Sequence, residues 1–130
     1  MITALVRPLL AAALLVVATL AAAAGELRQW DSAAFAAAQA GDRPVLIHVP
    51  APWCPTCRAQ KPSIESLVSS PEHPDLLVLE VDFDSQKDVL RQFNVRQQST
   101  LIAFAGTREV GRTVGVTDPY GIFALVEKTR

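Results

Sequence analysis

The feature that most constrains the fold of this chain is a short apolar run that leads directly into its two cysteines. Residues 45–49 are mostly branched aliphatic and are bounded on both sides by prolines, a pattern typical of a buried strand. Residues 53–57 follow as Trp-Cys-Pro-Thr-Cys, so Cys54 and Cys57 lie in the turn that leaves this strand. Thiols at this spacing form either a redox centre or a local disulfide staple, and neither has another partner in the chain.

A purely stabilising role is the weaker of these two hypotheses. A disulfide between Cys54 and Cys57 closes almost no loop, so it removes little entropy from the unfolded chain. Small exported domains that depend on disulfides carry several pairs, whereas this chain of 130 residues has two cysteines. Its formal net charge of -1 shows no basic excess, which argues against a nucleic-acid partner. The sequence therefore favours a redox pair in one compact domain.

The first 24 residues have the pattern of a secretory signal peptide. Arg7 supplies a positive charge, residues 9–24 form a run rich in Ala and Leu, and small residues precede Gly25. We expect cleavage after Ala24, which leaves residues 25–130 as one domain in the bacterial periplasm, where disulfides persist. The alternative is an uncleaved anchor that holds the domain at the membrane, facing the periplasm. The run is short against the roughly 20 residues that span a bilayer.

The remaining sequence alternates between helix and strand patterns and ends in a hairpin and a helix. This order predicts an α/β fold with a central mixed sheet of four to five strands and helices on both faces. Asp82 and Asp84 are predicted to be turn residues, and His73 to lie in a surface loop. The predicted elements are a helix over 35–40 capped by Asp31 or Ser32, a strand over 45–49, a helix from Pro55 to about Ser69 containing Pro62, a strand over 76–83, a helix over 84–93, strands over 100–105 and 109–114, and a final helix capped by Asp118.

The position of the cysteines gives them different expected roles. Pro55 suits the first position of a helix, which places Cys54 at the helix cap. The amides of Thr56 and Cys57 would then point at the Cys54 sulfur, and the helix dipole would favour its thiolate. We therefore predict that Cys54 attacks disulfides and that Cys57, one turn inside the helix and more buried, resolves the mixed disulfide.

These features resemble the thioredoxin-fold family over nearly all of the chain after the leader. Trp53 directly precedes the first cysteine, and Pro62 lies five residues after the second. Val81-Asp82 matches the end of the family's central strand, residues 100–104 match the strand after its cis-proline loop, and residues 114–115 match the end of its last strand. The resemblance supports the same α/β fold class, now as a thioredoxin fold.

The resemblance also implies an activity and a set of contacts. It implies a thiol-disulfide oxidoreductase. With the leader, we expect this protein to act as a monomer on cysteine-containing exported proteins and to exchange electrons with an unidentified redox partner. It implies no cofactor other than the redox-active disulfide, and no metal site. Substrate is expected to contact residues around the pair, namely Trp53, Pro55, Thr56, Ser99 and Thr100. For Trp53, a purely structural role is the alternative.

Three departures from the family pattern change what is expected of the site. Pro55-Thr56 replaces the Gly-Pro of thioredoxins, which frees the amide of residue 56 and adds a hydroxyl, so we predict a pair more oxidising than thioredoxin's. His48 stands where thioredoxins bury an aspartate, and it either accepts the proton of Cys57 or packs as a hydrogen-bonded core histidine. Ser99 stands at the cis-proline position, and we expect a trans bond before it because a cis bond there costs about 3 kcal/mol.

Two other functional classes remain open for the same cysteines. Ser99 lacks the ring that shields the sulfurs in the family, which would open Cys54 and Cys57 to a metal ion, with or without His48. A single Cys-x-x-Cys supplies two of the four ligands of a structural zinc site, so such a site would need a partner chain. The other class is a binding module whose disulfide is inert.

Overall fold

The computed structural model describes residues 24–130, so the expected signal peptide lies outside the described residues apart from its last one. No helix in this stretch is both long enough and apolar enough to span a bilayer. The described chain forms β1 (Glu26–Gln29), α1 (Ser32–Ala40), β2 (Pro44–Val49), α2 (Pro55–Ser69), β3 (Leu77–Glu80), α3 (Lys87–Gln92), β4 (Thr100–Ala105), β5 (Arg108–Val114) and α4 (Pro119–Glu127).

The strands form one mixed sheet in the order β1-β3-β2-β4-β5. β1, β3 and β2 run parallel, whereas β4 is antiparallel to β2 and β5 is antiparallel to β4. On one face, Phe35 of α1 and Leu90 of α3 belong to a single buried cluster with the sheet. On the other face, Ile64 of α2 and Ile122 of α4 belong to a second cluster. The predicted α/β fold, with helices on both faces of a mixed sheet, is confirmed.

β1 is the strand that the sequence patterns did not predict. Its four residues include three polar ones, too few apolar positions for a two-residue period to be visible. It forms one edge of the sheet through pairing with β3, and Leu27 packs against the core. Two other elements are shorter than predicted, since α3 begins at Lys87 and β3 ends at Glu80.

Helix caps agree with the sequence at both ends of the domain. The Asp31 carboxylate, rather than Ser32, caps α1 by accepting the amides of Ala33 and Ala34. Asp118 caps α4 through the amide of Gly121. These short polar side chains satisfy N–H groups that the first helical turn leaves without partners.

β2 lies at the centre of the sheet and delivers the chain to the cysteines. Five of its six residues are buried, because strands flank it on both sides and helices cover both faces. β4 runs antiparallel beside it, with Val49 opposite Thr100. The end of β2 and the start of β4 therefore meet, which brings the turn containing Cys54 next to Ser99.

Candidate active site

Cys54 and Cys57 are joined by a disulfide at the start of α2. Cys54 precedes the helix in an extended conformation, with φ -93° and ψ 106°, and Pro55 begins the first turn. The N–H of Cys57 donates a hydrogen bond to Cys54 Sγ over 3.1 Å. This sulfur is therefore the cap of α2, at the helix end where the dipole and free N–H groups favour negative charge.

Two expectations about the pair are wrong in this oxidised structure. Within residues 24–130, Cys57 supplies the only amide that donates to Cys54 Sγ, so the predicted second donor, Thr56, is not one. Cys57 is also not the more buried cysteine, since the exposed fraction is 1% for Cys54 and 2% for Cys57. The cap geometry, and not exposure, therefore distinguishes the two sulfurs in this structure.

Ser99 closes the site from the side of β4. It is 3% exposed and has a φ of 64°, in the left-handed region that is uncommon for serine. Its hydroxyl oxygen lies 3.3 Å from Cys54 Sγ and 3.2 Å from Cys57 Sγ, so it contacts both sulfurs. The described chain contains no cis peptide bond, which confirms the trans bond predicted before Ser99.

The backbone of Ser99 is held by three hydrogen bonds. Its N–H donates to the Val49 carbonyl over 2.8 Å, and its own carbonyl accepts the Gly115 N–H over 3.1 Å. The same carbonyl accepts Gln60 Nε2 over 3.1 Å, and this amide also donates to the Val116 carbonyl over 2.9 Å. Gln60 is fully buried on α2 and was missed in the sequence. The sequence feature that could have identified Gln60 is a polar residue on the face of an amphipathic helix that is otherwise buried and apolar.

His48 is buried on β2 and pairs with Glu80 at the end of β3. His48 Nδ1 lies 3.4 Å from Glu80 Oε2, and Nε2 has no hydrogen-bond partner among the described residues. The interaction with His48, helped by Lys61, holds the pKa of Glu80 below its usual range although partial burial opposes this. No hydrogen bond in this part of the chain joins His48 to a sulfur. Its role as proton acceptor stays a prediction.

A cleft of about 420 Å³ brings Cys57 together with charged side chains. Lys61, Glu80 and Asp82 line it beside Cys57. Glu80 also pairs with His48, with 3.4 Å between Oε2 and Nδ1. Glu80 is therefore shared by the surroundings of Cys57 and of His48. Sequence reasoning missed this link, although a carboxylate within the apolar run 76–83 was its signal.

Trp53 lies exposed at the edge of the site, with 55% of its surface accessible. Its indole Nε1 donates to the Asp84 carboxylate, 3.0 Å from Oδ2 and 3.2 Å from Oδ1. The ring also meets Phe83 edge to face, with 6.4 Å between centroids. Asp84, predicted only as a turn residue, thus orients the exposed indole.

The other predicted substrate contacts lie at different depths. Pro55 is exposed and Thr56 is half-buried at the start of α2. Ser99 and Thr100 are both buried, and Thr100 Oγ1 donates to the Gln97 carbonyl over 2.7 Å. In the oxidised protein, the side chains of these two residues therefore face inward, towards the sulfurs and towards the loop before β4.

Residues 24–130 contain no group of three or more Cys, His, Asp or Glu side chains placed to hold a metal ion. His73 lies in the predicted loop, between α2 and β3, although the residue itself is 6% exposed. Its Nε2 lies 3.2 Å from Glu127 Oε1, and its ring meets that of Phe123 edge to face. The predicted surface loop is present, with Pro71, Glu72 and Asp75 exposed, but packing against α4 buries the His73 side chain.

Comparison with known proteins finds relatives of this chain. A family model described as Thioredoxin matches residues 26–128. Thioredoxin of Chlamydia trachomatis serovar D is 37% identical over 84 residues, which are 65% of this chain and 80% of that protein. Thioredoxin of Alicyclobacillus acidocaldarius is 34% identical over 82 residues, which are 62% of this chain and 76% of that protein.

Solved structures show the same relationship. Trxlp from Edwardsiella tarda EIB202 superposes with a TM-score of 0.75 at 42% identity, over 78% of this chain and 98% of that one. Thioredoxin O2 from Arabidopsis thaliana, in its oxidised state, superposes with a TM-score of 0.67 at 26% identity, over 82% of this chain and 94% of that one.

Proposed function

The chain belongs to the thioredoxin family and is a thiol-disulfide oxidoreductase, and on that basis we propose that it works outside the cytoplasm on other exported proteins. Its redox-active disulfide joins Cys54 and Cys57. The leader pattern of residues 1–24 supports export, with residues 25–130 acting as a monomer in the bacterial periplasm. An uncleaved leader would hold the same domain at the membrane, facing the same compartment.

The observation that carries the redox chemistry of this proposal is the position of Cys54 Sγ at the cap of α2, where it accepts the Cys57 N–H. In the dithiol form, this N–H and the helix end stabilise the Cys54 thiolate, and the thiolate is the nucleophile in disulfide exchange. Trp53 and Pro55 are exposed beside it and offer a surface for a cysteine-bearing segment. Thr56 extends this surface, whereas Ser99 and Thr100 are buried at the start of β4, on the other side of the cysteines.

The reaction consists of two exchanges. To oxidise a substrate, one substrate thiolate attacks Cys54 Sγ, forms a mixed disulfide and expels the Cys57 thiolate. A second substrate thiolate then attacks the first substrate sulfur, which forms the substrate disulfide and expels the Cys54 thiolate. Two electrons pass to the Cys54–Cys57 pair, and a disulfide-bearing partner removes them. To reduce a substrate, the same steps run backwards and a dithiol partner supplies the electrons.

In the reducing direction, Cys57 must lose a proton before it attacks the mixed disulfide. The cleft that contains Cys57 also contains Glu80, which pairs with His48. Glu80 stays ionised because its interaction with His48 lowers its pKa. We assign the proton to this pair, with His48 as its final acceptor.

Trapping with single-cysteine variants tests the proposal. In cells, Cys57→Ser should accumulate reducible adducts with exported proteins, because the Cys54 thiolate still attacks substrate disulfides and no Cys57 thiolate is present to resolve the mixed disulfide. Cys54→Ser should accumulate far fewer. Mass spectrometry of the adducts would identify both the substrates and the redox partner. Adducts that form equally with Cys54→Ser contradict the assigned roles, and a copurified metal ion with no adducts indicates a metal-handling protein instead.

The compartment requires its own measurement. N-terminal sequencing of the protein from the periplasmic fraction should begin at Gly25. A protein that stays in the cytoplasm with its first residues intact contradicts export, whereas an intact leader in the membrane fraction supports the anchored form.

A further inference from the structure

The hydroxyl of Ser99 contacts both reacting sulfurs. Its oxygen lies 3.3 Å from Cys54 Sγ and 3.2 Å from Cys57 Sγ. Among residues 24–130, no other side chain outside the pair is hydrogen-bonded to either sulfur. A serine hydroxyl has one proton to donate and two lone pairs that accept, so it can serve both sulfurs at once when they differ in protonation.

This hydroxyl is held in place by the backbone beneath it. Ser99 adopts a left-handed φ of 64°, a conformation that persists in a serine only where surrounding contacts enforce it. Three hydrogen bonds enforce it. The Ser99 N–H donates to the Val49 carbonyl, and the Ser99 carbonyl accepts the Gly115 N–H and Gln60 Nε2. The backbone is therefore fixed in the position from which the buried hydroxyl contacts both sulfurs.

Reduction changes the charge and the protonation of the two sulfurs that the Ser99 hydroxyl contacts. In the disulfide, both sulfurs are weak and neutral acceptors. In the reduced pair, Cys54 is the thiolate and Cys57 is the thiol. A hydrogen bond to a charged acceptor is shorter and about twice as strong as one between neutral groups. Ser99 and Cys54 are 3% and 1% exposed, so water competes little for this bond.

We propose that Ser99 is a third catalytic residue, whose hydroxyl donates a hydrogen bond to the Cys54 thiolate and accepts one from the Cys57 thiol. The proposal rests on the thiol-disulfide function proposed above and deepens it. The Ser99 proton stays on its oxygen throughout, so the two exchanges balance as already described. Because the bond favours the reduced pair, it makes the disulfide more oxidising. It replaces the donor that the Thr56 amide does not supply.

The test is the equilibrium of the purified protein with reduced and oxidised glutathione. Ser99→Ala and Ser99→Gly both delete the hydroxyl but differ in backbone strain, since glycine adopts a positive φ freely and alanine does not. In both variants, the equilibrium constant for oxidation of the pair should rise by about ten- to hundredfold, the value of a hydrogen bond to a charged group. At about 30 mV per tenfold, the potential should fall by roughly 30–60 mV.

A second readout is the ultraviolet absorbance of the thiolate in the reduced protein. Its pH midpoint should move upward by about one to two units in both variants. Ser63→Ala, which deletes a hydroxyl elsewhere on α2, is the matched control and should change neither quantity. If Ser99→Ala does not fold, the unstrained Ser99→Gly variant gives the answer.

The outcomes separate this inference from the proposed function. If wild type equilibrates with glutathione and either Ser99 variant that folds has the same constant and midpoint, the role of the hydroxyl is wrong while the redox function stands. Opposite shifts in the alanine and glycine variants also overturn it, because they would follow backbone strain. If the wild-type pair does not exchange with glutathione at all, the proposed function fails as well.

Discussion

The buried amide of Gln60 should stabilise the domain by joining α2 to the segments on either side of β4 and β5. Its Nε2 donates to the carbonyls of Ser99 and Val116, over 3.1 and 2.9 Å. Gln60→Met removes both donors and keeps a side chain of similar length. The substitution therefore tests these hydrogen bonds with little change in packed volume.

The magnitude follows from what each carbonyl retains. The Ser99 carbonyl keeps the Gly115 N–H, so its loss is at the low end of the roughly 0.5–1.5 kcal/mol that a hydrogen bond contributes. The Val116 carbonyl loses its side-chain donor at a part-buried position, so the cost falls between that of an ordinary hydrogen bond and the roughly 1–3 kcal/mol of an unsatisfied buried acceptor. Methionine also removes Gln60 Oε1, which is buried without a hydrogen-bond partner in the described chain, and this offsets part of the loss. We expect a net destabilisation of about 1–3 kcal/mol.

Urea unfolding of the oxidised protein measures this change. The midpoint should fall while the slope stays constant, which shows that the compactness of both states is unchanged. Gln92→Met, at an exposed position on α3, is the control and should alter stability by no more than about 0.5 kcal/mol. A Gln60→Met protein as stable as wild type would refute the reasoning, because it would show that the two hydrogen bonds contribute nothing net.

Three further predictions concern the charged and aromatic groups around the site. Glu80 has a lowered pKa, so its contribution to stability is present above pH 4.5 and is lost as the pH falls through the lowered value. In urea unfolding, the stability of Glu80→Gln should therefore fall less with acid than that of wild type. Parallel curves of stability against pH would contradict this. His48→Ala should slow the attack of Cys57 on a mixed disulfide by about 100-fold or more in rapid-quench experiments, and equal rates would show that His48 is not the base. Asp84→Ala should speed solvent exchange of the Trp53 indole proton, measured by NMR, and an unchanged exchange rate would show that this hydrogen bond does not hold the ring.

The long apolar elements could be predicted from the sequence because burial imposes a period on them. The strands at 45–49 and 100–105 and the helix from Pro55 to Ser69 agree with the structure to within a residue. β1 could not be predicted in this way, because an edge strand of four mostly polar residues draws its stability from pairing with β3 and not from its own pattern.

The candidate site was predicted where its chemistry depends on local sequence. The cap position of Cys54 follows from Pro55 alone, and the structure shows it. The partners of polar side chains depend on tertiary contacts between distant segments, which residue spacing does not encode. For this reason Gln60 and Glu80 were missed.

The orientation of Ser99 has a similar explanation. The sequence locates this residue next to the cysteines, but serine gives no signal of a left-handed φ. That conformation is what turns the hydroxyl onto both sulfurs, and it is enforced by hydrogen bonds from three other segments.

The central claim is that the Cys54–Cys57 pair exchanges two electrons with protein thiols, and a single-turnover reaction tests it most directly. The oxidised protein is mixed with an excess of a reduced peptide that carries two cysteines, and the products are quantified by mass spectrometry. We predict one peptide disulfide and one reduced Cys54–Cys57 pair for each protein molecule, and no peptide disulfide with the Cys54→Ser variant. A Cys54–Cys57 disulfide that persists in the presence of the reduced peptide would contradict the account.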